Sequence, residues 1–315
     1  MGGTRMKVYP SPHDALADGV RLAGAMTLKQ AAAELPYGGA KAVLAVRAVP
    51  ASGSDERREL MLRYADLVAS LGGTYVTAAD MNTGRADMDV IGERCPHVLG
   101  RSPERGGSGD PGRSTGIGVF HGIVAAARHA FGSDDLEGRS VLVQGVGSVG
   151  SVLAERLLEA GVRVIVTDVD RERASAIGDR LGAATIPVDQ VVGAECDVFA
   201  PCATGGVLSA ETIPRLRCFV VAGAANNQLA EPEDAERLRD AGILYAPDFV
   251  INAGGVIHLA GYETLGWDEA TMTARLAAIA GTLASVFAEA DREGITTEAA
   301  AIRLARSRID ASSRA

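Results

Sequence analysis

Two lysines hold the residue type that could perform chemistry on an amine. Lys29 and Lys41 stand twelve residues apart in "TLKQAAAELPYGGAKAVLAV", the first in a stretch with helical spacing. The second lies between the pair Gly38-Gly39 and the apolar run "AVLAV", which reads as a buried strand. A lysine usually keeps its ammonium in water. A helix-turn-strand unit of this length folds back and brings both ammoniums toward one pocket. Two positive charges in a partly dry site each disfavour the other's protonation, and desolvation acts in the same direction. Together they lower a lysine pKa by several units from about 10.4. One lysine then serves as a general base near neutral pH, and the other remains a cation for a substrate carboxylate. The chemistry this suggests is oxidation of an amine.

A second cluster suits a dinucleotide. Gly145, Gly147 and Gly150 form G-x-G-x-x-G in "VLVQGVGSVGSVLAE", directly after an expected strand and at the opening of an expected helix. The first glycine permits the tight turn, the second lets backbone approach a pyrophosphate, and the third lets helix and strand pack closely. The pyrophosphate then lies at a positive helix N-terminus. Asp168 ends the next expected strand, "VRVIVTD", where a carboxylate accepts hydrogen bonds from ribose hydroxyls and repels a 2′-phosphate. The cofactor expected is NAD, with Arg171 and Arg173 close enough in sequence to soften the preference over NADP.

These residues need an α/β frame. Residues 1–112 alternate expected helices, "DALADGVRLAGAMTLKQAAAEL" and "DERRELMLRYADLVASLGG", with the strands "KAVLAV" and "TYVTAAD". The stretch "GRSPERGGSGDPGRSTG" is dense in Gly, Pro and Ser and marks a boundary. From Ser140 onward, apolar runs alternate with helices, the pattern of a parallel sheet covered on both faces. "CDVFAPC", "CFVVAGAANN" and "ILYAPDFVIN" read as further strands, and the tail reads as helical.

Composition narrows the class. The 315 residues are 47% hydrophobic, ample for a core and too apolar for disorder. A net charge of −9 gives no steering toward nucleic acid or an anionic membrane, and no apolar run is expected to span a bilayer. Cys95, Cys196, Cys202 and Cys218 lie far apart, without metal-ligand spacing, so no metal and a reducing cytoplasm are expected. "MGGTRMKVYP" has no apolar signal core.

"GAMTLKQAAAELPYGGAKAV" resembles the glutamate/leucine/phenylalanine/valine dehydrogenase family. The similarity continues through "YVTAADMNTGRADMDVI", "STGIGVF", "FAPCATGG", "GAANNQLA" and "YAPDFVINAGGVI", nearly the whole chain, and is greatest toward branched-chain and aromatic members. It implies an α/β fold of two domains: a substrate domain with a mixed sheet, and a Rossmann-type NAD domain, the active site in the cleft between them. The boundaries expected are 1–112, 113–290, and a C-terminal helical segment, 291–315, packing back toward the substrate domain. It also implies roles. Lys29 would bind the substrate carboxylate, with Gly38 and Gly39 lining its site. Lys41 would activate water, and Asp80 would exchange protons with the substrate nitrogen. Thr115 and Asn252 would orient the nicotinamide carboxamide or nearby substrate groups. Ser148, Val149, Ala200, Pro201, Cys202, Ala203, Ala225 and Asn226 would complete the cofactor site. Ala78, Val256 and Leu259 would line the side-chain pocket. All three are apolar, which disfavours a γ-carboxylate there. The substrates implied are an L-amino acid, or its 2-oxo acid with ammonia, and the assembly a homo-oligomer.

Other readings stay open. Singly, Lys29 is also a solvated helix residue, Lys41 a strand-end lysine and Asp80 a loop cap; Asp87 and Asp89 read as structural. The chain departs from the family pattern at Ala40, at Asn82 (which suits a positive φ), at His258 and at Gly261, where an acid is expected. The family carries a segment before "GGTRM", so an incomplete first sheet with an exposed edge is expected. These departures leave two alternatives: a catalytically impaired NAD-binding paralogue with a regulatory role, and a related dehydrogenase or imine reductase acting on another amine.

Overall fold

In the computed structural model, which describes residues 1–312, the chain starts directly in a strand. β1 (Gly2–Lys7) is followed by α1 (Pro12–Ala32), β2 (Ala42–Ala45), α2 (Asp55–Ser70), β3 (Thr77–Ala79) and α3 (Arg85–Ile91). Each strand is joined to the next through a helix, and such crossovers place strands side by side in the same direction. The sheet order is β2-β1-β3 with both pairs parallel. This corrects the expectation of a mixed sheet among the described residues. It also corrects the reading of "AVLAV" as buried. β2 is an edge strand of half-exposed residues, although Lys41 just before it is not exposed. The helices start where their caps direct: the Ser11 and Ser54 side chains accept from the backbone N–H groups of Asp14 and Arg57. Met6, Met61, Tyr64, Val68, Met88 and Ile91 form the core.

Residues 112–257 and 269–312 lie in the second unit. It contains α4 (Gly112–Phe131), β4 (Ser140–Gln144), α5 (Ser148–Glu159), β5 (Arg163–Thr167), α6 (Arg171–Leu181), β6 (Ala184–Thr185), β7 (Val198–Pro201), β8 (Val220–Val221), α7 (Asp234–Asp240), β9 (Leu244–Tyr245) and α8 (Asp248–Ile251). The six strands are parallel in the order β6-β5-β4-β7-β8-β9. In sequence terms that is 3-2-1-4-5-6, the doubly wound order in which a dinucleotide binds where the winding reverses, past the carboxyl ends of β4 and β7. "ILYAPDFVIN" is only half strand: Pro247 cannot donate to a ladder, and α8 starts immediately after it.

α9 (Gly254–Glu263), α10 (Glu269–Glu293) and α11 (Thr297–Ser312) complete the chain. The division differs from the expected one in two places. Residues 258–268 group with the first unit. There the Glu263 carboxylate accepts from the Gly100 and Ser108 N–H groups and the Ser108 hydroxyl, and the Tyr37 hydroxyl donates to Thr264. The segment 291–315 is not a separate body as far as it is described. α11 packs on α10 and β9 in the second unit, and the Thr297 hydroxyl donates to the Tyr245 carbonyl. Contrary to expectation, α10 is long and apolar enough to cross a membrane by composition. Its Leu276, Ile279, Leu283, Val286 and Phe287 are instead buried inside the second unit, where it packs on α4.

Candidate active site

The approach of α1 to the turn before β2 creates the lysine site. Gly39 touches the helix backbone: a Cβ there would fall 2.0 Å from the Thr27 nitrogen. Gly38 meets no such obstruction. The turn therefore lies against the last part of α1, which carries Lys29. On the other side β1 holds Lys41 and Asp80 in register. Ala42 sits opposite Thr4, and Ala79 sits opposite the same Thr4 on the far side, so β2 begins at the level where β3 ends and the flanking residues Lys41 and Asp80 lie on either side of the middle of β1. Lys41 Nζ pairs with Asp80 Oδ2, the two side chains 7% and 18% exposed.

Burial pushes the Lys41 ammonium down to about 8, with the charges of Arg5 and then Lys29 acting in the same direction and Asp18 opposing them. Lys29 is thus close enough to be felt, as the spacing predicts. Arg5 is felt more strongly and carries no sequence signal of its own. Its Nη2 lies 3.6 Å from Asp80 Oδ1 and its Nη1 lies 3.1 Å from Asp18 Oδ2. Asp18 also accepts from the Tyr9 hydroxyl at 2.7 Å and from Arg21 at 2.8 Å. Burial would raise its pKa, but these donors hold it down to about 2. Gly3 is a second residue missed in the sequence, since a Cβ there would come 3.0 Å from Asp80 Cβ.

Asp80 is fixed by the turn after β3. The Thr83 hydroxyl accepts from the Asp80 N–H and donates to the Thr4 carbonyl. Asn82 takes φ +59°, and its side-chain amide donates to the Met6 carbonyl. Arg57 makes a bidentate pair with Asp87, both contacts 2.7 Å, and also donates to the Asn82 carbonyl. Asp87 is therefore structural, as expected, and supports the turn after Asp80 from behind. Asp89 accepts from the Ser102 N–H.

The second unit gathers the glycine fingerprint at its winding reversal. Gly145 follows β4 with φ +93°, and a Cβ there would meet Ala203 at 2.8 Å. Gly147 caps α5, which Ser148 and Val149 open, and its alpha-carbon faces open space. A Cβ on Gly150 would fall 1.9 Å from the Gly145 carbonyl. Asp168 is only 5% exposed and already engaged: Oδ2 accepts from the Val146 N–H at 2.9 Å and lies 3.5 Å from Arg173, and Oδ1 accepts from the Asp170 N–H. It braces the glycine turn.

Ala200 and Pro201 end β7, the Cys202 N–H donates to the Gln144 carbonyl, and the Ala225 N–H to that of Pro201. The Cys202 thiol, pushed up to about 12 by burial, stays protonated. Asn252 gives both amide hydrogens away, to the Ala224 carbonyl and Asn226 Oδ1. Its Oδ1 is buried without a partner. Gly254 presses on the first turn of α4 at Thr115, 2.8 Å from a built Cβ to its α-carbon. An orphaned acceptor of this kind suits a carboxamide NH₂, and the bare approach at Gly147 suits a pyrophosphate. The residues present fit a nicotinamide dinucleotide.

Of the side-chain pocket residues, Ala78 is buried on β3 opposite Gly3. Leu259 approaches Gly100 in the first unit, and Val256, half-buried, lies three residues before it within the second.

Comparison with known proteins gives the family. Residues 1–97 match the model described as Glu/Leu/Phe/Val dehydrogenase, dimerisation domain, and residues 106–172 and 166–315 match that of glutamate/leucine/phenylalanine/valine dehydrogenase. The chain belongs to the glutamate/leucine/phenylalanine/valine dehydrogenase family. It is 43% identical to a leucine dehydrogenase of Geobacillus stearothermophilus over 98% of this chain and 83% of that one. It is 45% identical to a valine dehydrogenase of Streptomyces albus over 98% and 84%. The crystal structure of L-tryptophan dehydrogenase from Nostoc punctiforme superposes with a TM-score of 0.86 at 38% identity, covering 100% of this chain and 89% of that one. Membership makes the chain an amino-acid dehydrogenase, and the family type implies a nicotinamide cofactor.

Proposed function

We propose that this enzyme catalyses the reversible, NAD-dependent oxidative deamination of a branched-chain or aromatic L-amino acid to the 2-oxo acid and ammonia. The observation that carries the reading is the buried Lys41–Asp80 pair beside Arg5 and Lys29. A nicotinamide held at the glycine fingerprint would supply the acceptor for the α-carbon hydride. Lys29 holds the substrate carboxylate. Neutral Lys41 takes a proton from the water that attacks the imine carbon. Asp80, having taken a proton from the substrate ammonium before hydride transfer, returns it to the nitrogen as the carbinolamine collapses, and the hydroxyl proton leaves with the ammonia as ammonium. A side-chain pocket without a cation at Ala78, Val256 or Leu259 suits an apolar substrate, since a buried, unpaired carboxylate is strongly unfavourable. Choice among valine, leucine, isoleucine and phenylalanine rests on about 1–3 kcal/mol per methylene.

For the cofactor, Asp168 favours NAD, because a 2′-phosphate would face its carboxylate. The matched dimerisation domain supports a homo-oligomer, and four free cysteines suit a reducing cytoplasm. The test is a panel of L-amino acids with NAD and then NADP, followed at the NADH absorbance band. Turnover of apolar substrates with NAD is expected. NADH binding with no turnover across the panel would replace this reading with the impaired paralogue, and reduction without ammonia would point to an imine substrate.

A further inference from the structure

We propose that Arg5 is a positioning residue, its guanidinium bridging Asp18 and Asp80 to set the field in which Lys41 works. The inference rests on Lys41 being the base of the deamination. Its geometry is independent of that assignment. Arg5 reaches Asp18 Oδ2 at 3.1 Å and Asp80 Oδ1 at 3.6 Å, while Asp80 Oδ2 pairs with Lys41. The charges therefore run negative, positive, negative, positive from Asp18 to Lys41. The Arg5, Asp18, Asp80 and Lys41 side chains are 13%, 15%, 18% and 7% exposed, so solvent screens them weakly.

A guanidinium cannot give up its proton in a protein, so Arg5 is a fixed charge. It acts on Lys41 in two ways. It repels the ammonium, second only to burial and ahead of Lys29. It also lies 3.6 Å from Asp80 Oδ1, the oxygen that accepts from the Met81 N–H, and so competes with the Lys41 cation for the charge of that carboxylate. Asp18 limits both effects: it draws Arg5 toward itself and favours the Lys41 cation directly. Asp18 remains ionised throughout the working range, held down by Tyr9, Arg21 and Arg5. The charged groups facing Lys41 are thus Arg5 from β1, Asp18, Arg21 and Lys29 from α1, and Asp80 after β3. Arg21 is more than half exposed and counts least.

This arrangement predicts shifts of opposite sign from two neighbours. Full-length wild type, Arg5→Gln, Arg5→Lys and Asp18→Asn are labelled with acetic anhydride across a pH series, and the Lys41 peptide is quantified by mass spectrometry. No substrate or cofactor is needed. Arg5→Gln is expected to raise the Lys41 midpoint by about half a unit or more, Arg5→Lys to leave it near wild type, and Asp18→Asn to lower it. In the pH profile of kcat/KM, Arg5→Gln then loses about threefold below the midpoint and recovers at alkaline pH. An unmoved or raised midpoint in Asp18→Asn overturns the proposal even if Arg5→Gln fails to fold. Equal shifts in Arg5→Gln and Arg5→Lys overturn it as well. If wild type turns over no amino acid, the functional reading fails while labelling still decides the role of Arg5. Turnover with unmoved midpoints sinks the role of Arg5 alone.

Discussion

Asp80 pairs with Lys41 through Oδ2, while its Oδ1 accepts from the Met81 N–H and lies 3.6 Å from Arg5, and burial of this pair is what would make Lys41 a base. Lys41→Ala removes the proposed base. Its kcat is expected to fall by about 10²–10⁴-fold, with NADH binding by fluorescence unchanged. The pH dependence has a definite sign. In the proposed scheme the active form is the neutral amine, and burial places its midpoint at about 8, so at pH 7 only about a tenth of the molecules would be competent. Below that midpoint kcat/KM for deamination should rise close to tenfold per pH unit, then level off. A flat profile between pH 6 and 9 would exclude Lys41 as the base. Lys29, Lys41 and the glycine fingerprint were readable in the sequence because local spacing carries them. Arg5 and Asp18 were not. Arg5 meets Asp80 only through the parallel pairing of β1 with β3, Asp18 meets Arg5 only through the crossover by α1, and no spacing in the chain announces either.

The elements constrain the site by close backbone approach. Gly39→Ala would drive a methyl into the Thr27 backbone on α1, whereas Gly38→Ala meets open space. Gly39→Ala is expected to cost about 1–3 kcal/mol in chemical denaturation, and Gly38→Ala less than about 0.5. Equal effects would mean that the turn is not pressed on the helix. Arg57→Ala leaves Asp87 buried without its partner and frees the Asn82 turn. It should cost about 3–5 kcal/mol and lower kcat as well, because that turn follows Asp80 directly. The helices were readable from apolar spacing. Strand character was less so. A short apolar run such as "AVLA" looks alike whether central or at an edge, and "PDFVI" has strand-like residues that Pro247 turns into a helix start.

For the whole chain, the matched dimerisation domain leads us to expect more than one copy in solution, which light scattering on the purified protein measures directly. A monomer at micromolar concentration would argue against the assembly proposed. The excursion of residues 258–268 into the first unit has its own implication. Glu263 collects two backbone donors and a hydroxyl from the stretch between Gly100 and Ser108. A fragment ending at residue 111 would keep those donors and lose their acceptor; one beginning at residue 112 would carry the acid with nothing to receive. No single cut can therefore liberate either half intact, and a nucleotide-binding fragment for laboratory use would need this eleven-residue stretch replaced by a polar linker.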